Sequence, residues 1–213
     1  MSVLVKICGL KTPGMVDAAL EAGADMLGFV FFGKSLRNVS LDQAAALGAR
    51  VVGRARKVAL TVDADDATLD AIVAALRPDL LQLHGKETPA RVAEVARRAG
   101  LPVMKALGVE TRADLAAAAD YAPHCARLLF DAKPPKGAVL PGGNGLPFDW
   151  TVLAGYDPGV PWMLSGGLTP ANVAAALRLT GAPGVDVSSG VETAPGVKDA
   201  GLIRAFVVAA RGA

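Results

Sequence analysis

The sequence is poor in the residues that define several common classes of protein. Its 213 residues include two cysteines, Cys8 and Cys125, which are too few and too far apart for a framework of disulfide bonds. Aromatic residues make up 5% of the chain, and 22 basic residues against 20 acidic ones leave a net charge of +2. The basic residues are scattered and are not interleaved with aromatic ones. The sequence therefore shows no footprint of nucleic-acid binding.

Long apolar segments and targeting signals are also missing. The longest uncharged stretch, residues 158–177, is interrupted by three prolines and three glycines, so it does not predict a transmembrane helix. The N-terminus enters a strand-like segment without a charged leader or an apolar signal core. We therefore expect a cytoplasmic protein that has neither a membrane nor a nucleic acid as a partner.

Short apolar runs alternate with alanine-rich segments that begin at helix-capping residues, which is typical of repeated βα units. Thr12, Thr88 and Thr169 each precede a proline and predict a helix N-terminus, and Ser40 with Gln43 predicts a capping box. The eight predicted strands are 3–8, 26–31, 58–62, 80–83, 103–107, 128–131, 162–164 and 185–188. We therefore expect residues 1–213 to form a single α/β domain, an eight-stranded parallel (β/α) TIM barrel.

The segment VKICGLK, residues 5–11, places Cys8 at the end of the first predicted strand. Lys6 lies two residues earlier and therefore faces the same side, where a buried lysine favours the thiolate. From this segment alone, a cysteine that acts as a small core hydrophobe is the favoured interpretation, because free cysteines are commonly buried and inert. The rest of the chain favours a reactive thiol, because the active sites of such barrels lie where the strands end.

Other polar residues stand at the same ends of predicted strands. Asp131 ends the sixth strand, Asp186 lies on the eighth, and His84 follows the fourth. A single histidine at a strand end more often orients a loop than transfers a proton, so His84 is not included among the catalytic residues. The two cysteines and two histidines lack the repeated spacing of a zinc site, and we expect no metal.

Two glycine-rich segments, SGGLTP at 165–170 and SSGVE at 188–192, follow the last two predicted strands. Phosphate-binding barrels hold their anion at these junctions, and glycine lets backbone N–H groups approach a phosphate closely. Either segment alone is typical of a simple turn, but both at the expected junctions favour a phosphate site. The residues assigned to this site are Gly166, Gly167, Ser188, Ser189 and Gly190.

Six motifs, VKICGLK, LLQLHG, LLFDAK, GGNGLPFDW, MLSGGLTPANV and VDVSSGVE, together resemble the phosphoribosylanthranilate isomerase family of tryptophan biosynthesis. The resemblance implies an Amadori rearrangement of N-(5-phosphoribosyl)anthranilate to 1-(2-carboxyphenylamino)-1-deoxyribulose 5-phosphate, without a metal or an organic cofactor. It also implies that Cys8 is the general base and Asp131 the general acid. By the same resemblance, Arg37 meets the anthranilate carboxylate and Asp186 lies beside the ribose.

Asp131 has to carry a proton before the reaction starts, and we expect its neighbours Leu129 and Phe130 to favour the protonated form by desolvation. Members of the family usually carry a threonine, a glycine and a basic residue before FDW, whereas residues 144–147 read NGLP here. A basic contact from that loop is therefore not assigned. The Pro- and Gly-rich residues 133–145 are predicted to form a mobile lid.

Three alternatives stay open beside this resemblance. The histidine-pathway isomerase performs the same rearrangement on an aminoimidazole carboxamide, but it looks to use two aspartates, which a cysteine in the first strand does not match. A bifunctional enzyme would accept both substrates. A barrel that binds phosphorylated metabolites without turnover would need the phosphate loops but neither Cys8 nor Asp131. Whether the chain is a monomer or a homodimer also stays open.

Overall fold

The fold is a closed barrel of eight parallel strands, and the computed structural model describes residues 3–134 and 148–213. Each strand pairs with the next one along the chain, and β8 returns to pair with β1. The strands are β1 (Leu4–Cys8), β2 (Met26–Phe31), β3 (Arg56–Thr61), β4 (Leu80–Leu83), β5 (Val103–Val109), β6 (Arg127–Ala132), β7 (Trp162–Leu164) and β8 (Gly184–Val187). The predicted (β/α) TIM barrel is confirmed, and β2, β4 and β7 have the predicted bounds.

Helices cover the outside of the barrel. They are α1 (Pro13–Glu21), α2 (Leu41–Val51), α3 (Asp66–Leu76), α4 (Pro89–Ala99), α5 (Ala118–Tyr121), α6 (Val173–Thr180) and α7 (Ala200–Arg211). Thr12 and Thr88 each accept a hydrogen bond of 3.3 Å from the backbone N–H three residues further on. Ser40 and Gln43 form the predicted capping box. No helix in the described segments is long and apolar enough to cross a membrane.

The helix start predicted at Thr169 is wrong. Helix α6 begins at Val173, and Asn172 precedes it. The Asn172 Oδ1 atom accepts a hydrogen bond from the Thr169 backbone N–H at 2.7 Å, and its Nδ2 donates to the Gly167 carbonyl at 3.0 Å. Because the asparagine side chain satisfies the loop backbone locally, the chain turns once more before the helix begins.

Two βα units depart from the regular pattern. Between β5 and β6, the short 3₁₀ helices Arg112–Ala117 and Ala122–His124 flank the single turn of α5. Between β6 and β7, the described residues form one 3₁₀ helix, Trp150–Leu153. The predicted lid at 133–145 falls in this connection, and all but its first two residues lie outside the described part of the chain. After β8, a small hairpin of β9 (Glu192–Ala194) and β10 (Val197–Lys198) precedes α7.

The barrel interior changes from apolar to polar along its axis. An apolar cluster fills the half towards the strand N-termini: Met26, Val58, Leu80, Met104, Ala106, Leu129 and Met163. Beyond it, the fully buried Lys6 and Gln82 and the nearly buried Asp131 and Asp186 face the interior from four different strands. Burial of several polar side chains costs stability unless they are paired, so this half of the barrel is where a function is expected.

Candidate active site

Cys8 ends β1 inside the barrel and is 4% exposed. Lys6 lies on the same inner side, as predicted, and its Nζ donates a hydrogen bond to Asp186 Oδ1 at 2.8 Å. Gly28 on β2 provides the space for both side chains. A Cβ atom on Gly28 would lie 2.9 Å from Cys8 Sγ and 3.1 Å from Lys6 Nζ, so glycine is required there for steric reasons.

The charges around Cys8 compensate one another. Burial raises the pKa of the Cys8 thiol, Lys6 lowers it and Asp186 raises it, and the net pKa is raised. Burial opposes the charge of Lys6, but Asp186 and Cys8 outweigh that effect and its pKa is raised. Lys6 therefore does favour the thiolate, as predicted, but Asp186 takes up part of its charge. In the absence of substrate, these effects together favour the thiol of Cys8 over its thiolate.

Asp131 lies at the end of β6 and is 5% exposed. Its Oδ1 accepts a hydrogen bond from the Ala132 backbone N–H at 2.9 Å, and its Oδ2 lies 3.3 Å from Nε2 of His84. The other ring nitrogen, Nδ1, lies 3.2 Å from Nε2 of Gln82. His84 was not predicted to be catalytic, yet it contacts the proposed acid directly.

The predicted environment of Asp131 is half correct. Leu129 faces the interior with Asp131 and belongs to the apolar cluster of the barrel. Phe130 instead packs outside the barrel, with its ring 5.7 Å from that of Tyr156 and 5.5 Å from that of Trp162. The prediction that Phe130 flanks the carboxyl group is wrong, because neighbouring residues of a strand point to opposite sides.

Arg37 follows β2 and is 8% exposed. Its Nε and Nη2 donate to the two carboxylate oxygens of Glu192, at 2.8 and 2.9 Å. Gly9, which has a φ of +80°, allows this packing, because a Cβ there would lie 2.5 Å from Arg37 Cδ. Nη1 makes no hydrogen bond within residues 3–134 and 148–213, so this edge of the guanidinium is available to a ligand carboxylate.

Glu192 connects Arg37 to the loop that follows β8. Lys198 Nζ donates to Glu192 Oε1 at 2.7 Å and to Ser188 Oγ at 3.1 Å, and the Ser188 hydroxyl donates to the Cys8 carbonyl at 3.1 Å. Burial disfavours the charge of Glu192, but Arg37 and Lys198 outweigh it and hold the pKa of Glu192 at about 2. Burial also lowers the pKa of Lys198. These bonds fix Arg37 relative to the end of β1.

The loops after β7 and β8 lie against each other, as a shared phosphate site requires. Gly166 and Gly167 have φ values of +84° and +68°. A Cβ on Gly190 would lie 1.8 Å from the Leu168 carbonyl oxygen, and one on Gly166 would lie 2.6 Å from the Ala132 nitrogen. Packing alone therefore explains why Gly166 and Gly190 are glycines.

The phosphate role of these loops stays a prediction. The Ser188 hydroxyl is already engaged by the Cys8 carbonyl and Lys198, and Ser189 begins the 3₁₀ helix Ser189–Val191. The carbonyl oxygens of Gly166 and Gly167 accept hydrogen bonds from the side chains of Trp150 and Asn172. Within the described segments, no group of three or more His, Cys, Asp or Glu residues is placed to hold a metal ion.

The structure brings the predicted Cys8, Asp131, Asp186 and Arg37 to the same end of the barrel. Three residues that contact them or their partners were not predicted from the sequence: Gln82, Glu192 and Lys198. Two of these had a visible signal: a glutamine interrupts the apolar run LLQL, and a glutamate closes the motif VDVSSGVE. Lys198 had none, because nothing in the neighbouring sequence distinguishes it from a surface lysine.

The chain resembles known proteins along nearly its whole length. Residues 5–209 match the family described as N-(5′-phosphoribosyl)anthranilate (PRA) isomerase. The protein of that name from Nitrobacter hamburgensis is 64% identical over 213 residues, which is 100% of this chain and 95% of the relative. One from Rhodopseudomonas palustris is 64% identical over 211 residues, covering 99% of this chain and 97% of the relative.

Solved structures agree as well. The crystal structure of phosphoribosylanthranilate isomerase from Thermotoga maritima superposes with a TM-score of 0.89 at 33% identity, covering 99% of this chain and 100% of that chain. A structure of the isomerase in complex with reduced 1-(o-carboxyphenylamino)-1-deoxyribulose 5-phosphate superposes with a TM-score of 0.86 at 32% identity, with the same coverage. The chain therefore belongs to the N-(5′-phosphoribosyl)anthranilate isomerase family.

Proposed function

We propose that Cys8 is the general base and Asp131 the general acid of the isomerase reaction. Membership of the family makes the chain an isomerase of tryptophan biosynthesis that rearranges N-(5′-phosphoribosyl)anthranilate to 1-(2-carboxyphenylamino)-1-deoxyribulose 5-phosphate. One observation carries the assignment of roles. Cys8 and Asp131, on β1 and β6, are both nearly buried at the end of the interior where the strands terminate.

Asp131 acts first in the proposed mechanism. Opening of the furanose requires a proton on the ring oxygen, and the carboxyl group of Asp131 supplies it. The bond between C1 and the ring oxygen breaks, and the nitrogen lone pair forms an iminium with C1. His84, in contact with Asp131 Oδ2, is the nearest group with which the carboxyl can share its proton.

Cys8 acts second. The iminium makes the proton on C2 acidic, and the Cys8 thiolate removes it to give an enolamine, which tautomerises to the ketone product. The raised pKa of Cys8 fits this order, because a buried thiol loses its proton most readily when a cation stands beside it. The iminium is such a cation, and it forms only after the ring has opened.

Three groups of contacts would hold the substrate. Arg37, already oriented by Glu192, offers its free guanidinium edge to the anthranilate carboxylate. Asp186, paired with Lys6, lies beside the ribose. The backbone N–H groups of Gly167 and of its neighbours in the two glycine-rich loops receive the phosphate. The reaction uses only proton transfers, so we propose that no cofactor takes part.

The cytoplasm as the site of action, and a monomer or homodimer as the functional state, stay proposals. The isomerase of Thermotoga maritima is dimeric, and monomers of it have been generated. Residues with large apolar side chains exposed on the present surface include Leu36, Val52 and Val208. Light scattering of the purified chain distinguishes the two states.

The test of the proposed function is a fluorescence assay. Freshly made N-(5′-phosphoribosyl)anthranilate is mixed with the protein, and loss of anthranilate fluorescence is followed. We expect turnover with this substrate and much slower turnover with the aminoimidazole carboxamide substrate of the histidine pathway. Comparable rates with both would indicate a bifunctional enzyme, and no turnover with either would refute the proposal.

A further inference from the structure

Gln82 is a fully buried amide inside the barrel, and the proposed mechanism does not use it. It lies on β4 between Leu60 of β3 and Met104 of β5 in the strand register, so two apolar residues flank it. Its Nε2 lies 3.2 Å from His84 Nδ1, whereas its Oε1 has no hydrogen-bond partner within the described segments. A half-satisfied buried amide costs stability, which indicates that the residue is kept for another reason.

The orientation of this amide determines which nitrogen of His84 carries the proton. A neutral imidazole has one N–H group and one acceptor nitrogen. When Gln82 donates from Nε2 to Nδ1, the ring proton has to be on the other nitrogen, which then donates to Asp131 Oδ2 at 3.3 Å. The Asp131 Oδ1 already accepts from the Ala132 N–H at 2.9 Å, so both carboxylate oxygens act as acceptors. This arrangement holds one proton in the His84–Asp131 pair.

A half-turn of the same amide supports a second arrangement. Oε1 of Gln82 would then accept a hydrogen bond from Nδ1–H of His84, and Nε2 of the ring would share a proton with Asp131. The pair then holds two protons, one of which is available to the ring oxygen of the substrate. Delivery of that proton returns the pair to one. The half-turn exchanges the hydrogen bond of Nε2 for one of Oε1, which has no partner in the present orientation within the described residues, so the amide keeps one hydrogen bond to His84 in both arrangements.

We propose that Gln82 is a positioning residue that sets the number of protons held by His84 and Asp131. This inference rests on the proposed role of Asp131 as the acid. Gln82 itself touches neither the substrate nor the reacting atoms and acts through His84. Its amide suits this task because it offers a donor and an acceptor in nearly the same volume, which an apolar side chain or a carboxylate does not.

The other charged groups around His84 are paired among themselves. On the loop after β4, Glu87 accepts a hydrogen bond from Lys105 Nζ at 2.8 Å and from the backbone N–H of Asp63 at 2.9 Å. Asp63 in turn accepts from the backbone N–H of Lys86. Across the barrel, the buried ion pair between β1 and β8 is complete in itself. Among the described residues, Asp131 is thus the charged group that contacts the His84 ring.

The direct test is ¹⁵N NMR of the histidine rings. The chain has two histidines, so His124→Gln leaves the signals of His84 alone. At high pH, where the pair holds one proton, we expect the Nε2–H tautomer in the otherwise unchanged protein, a mixture of tautomers in Gln82→Met, and a proton held on Nδ1 in Gln82→Glu, where the carboxylate is only an acceptor. A mixture of tautomers at that pH with Gln82 intact, or the same tautomer in all three proteins, would overturn the proposal.

Kinetics provide the second readout. Gln82→Met should lower kcat by about 10-fold, change KM by less than about 3-fold and displace the pH profile, because binding contacts are intact and proton supply is not. In a His84→Phe background, the same substitution should have no further effect on kcat. An equal loss in both backgrounds would show that Gln82 only supports the fold.

Thr61→Val is the matched control. Thr61 on the neighbouring strand β3 is also fully buried, and its side-chain oxygen has no hydrogen-bond partner in the described residues, so it does not bond to the His84 ring. Its backbone carbonyl accepts from the His84 backbone N–H at 2.9 Å, a bond that valine keeps. Removal of the Thr61 hydroxyl should leave kcat and the pH profile unchanged. If Gln82→Met fails to fold, the His84 tautomers of Gln82→Glu and of the protein with Gln82 intact still test the proposal. The NMR result does not depend on turnover, so an inactive protein would refute the proposed function without deciding the state of His84.

Discussion

The Nζ atom of Lys6 lies 2.8 Å from Asp186 Oδ1 inside the barrel, and both side chains are buried next to Cys8. The lysine therefore does not act on the thiol as an isolated positive charge. It is one half of an ion pair, and the two halves have opposite effects on the pKa of Cys8. The acidity of the thiol is set by this pair together with burial.

Substitutions of the two partners should consequently shift the Cys8 pKa in opposite directions. Lys6→Met removes the nearby cation and should raise the pKa of Cys8 further, whereas Asp186→Asn removes the anion and should lower it. Both variants are made with Cys125→Ser, so that the thiolate absorbance at each pH reports Cys8 alone. Shifts in the same direction would show that the pair does not act on the thiol electrostatically.

Cys8→Ser should lower kcat by at least about 10²-fold, because a hydroxyl of similar size is a far poorer base near neutral pH. Cys8→Ala should be as inactive, and both should still bind a product analogue. Cys125→Ser, at a half-buried cysteine before β6, is the matched control and should keep its activity. Steady-state kinetics of the three variants check this, and an active Cys8→Ser enzyme would exclude the cysteine as base.

Asp131→Asn keeps the shape of the side chain but supplies no proton. We expect kcat/KM to fall by at least about 10²-fold, and the bell-shaped pH profile of the unsubstituted enzyme to lose its high-pH limb in any residual activity. A profile unchanged by the substitution would assign the acid to another residue.

Gly28→Ala should damage the site by steric clash alone, because the substitution adds a methyl group and no charge. The new Cβ would lie 2.9 Å from Cys8 Sγ and 3.1 Å from both the Cys8 Cα and Lys6 Nζ, so we expect a loss of about 1–3 kcal/mol in the free energy of unfolding and a lower kcat. Gly14→Ala is the control, because it lies in α1 with no atom within 4 Å of the new Cβ. Urea unfolding should show the control to be about 0.5–1 kcal/mol more stable than the unsubstituted protein.

Glu192 makes the free energy of unfolding depend on pH in the acid range. Its pKa is lowered from 4.5 to about 2, so its contribution is complete above pH 4.5 and is lost as the pH falls towards 2. Glu192→Gln should be less stable than the unsubstituted protein near neutral pH, and the difference should shrink with acid. Urea unfolding from pH 6 to 3 measures this, with the exposed Glu21→Gln as a control that should leave the pH dependence unchanged.

Local patterns were sufficient to predict the barrel. Each strand is a short apolar run between capping residues, and Thr12, Ser40 and Thr88 mark helix starts as their hydrogen-bonding chemistry requires. The prediction failed at Thr169, where the Asn172 side chain binds the Thr169 N–H and the Gly167 carbonyl and the helix begins only at Val173. These contacts depend on the path of the loop, which local pattern does not reveal.

The site was predicted less completely, because its partners are distant in sequence. Lys6 and Asp186 lie 180 residues apart, and Arg37 and Glu192 lie 155 apart. Each of these residues can be placed at a strand end from its motif, but which acid meets which base follows from the closure of the barrel. The contact between His84 and Asp131 was missed for the same reason.

The close packing of Gly190 against the Leu168 carbonyl limits how the active-site loops can be exchanged between proteins. A Cβ 1.8 Å from that oxygen has no rotamer or small displacement that would relieve it. The loops after β7 and β8 therefore have to be exchanged together. A chimera that receives one of them from a relative would keep its strands but lose the junction between them, whereas a graft of residues 165–170 together with 188–192 would preserve it.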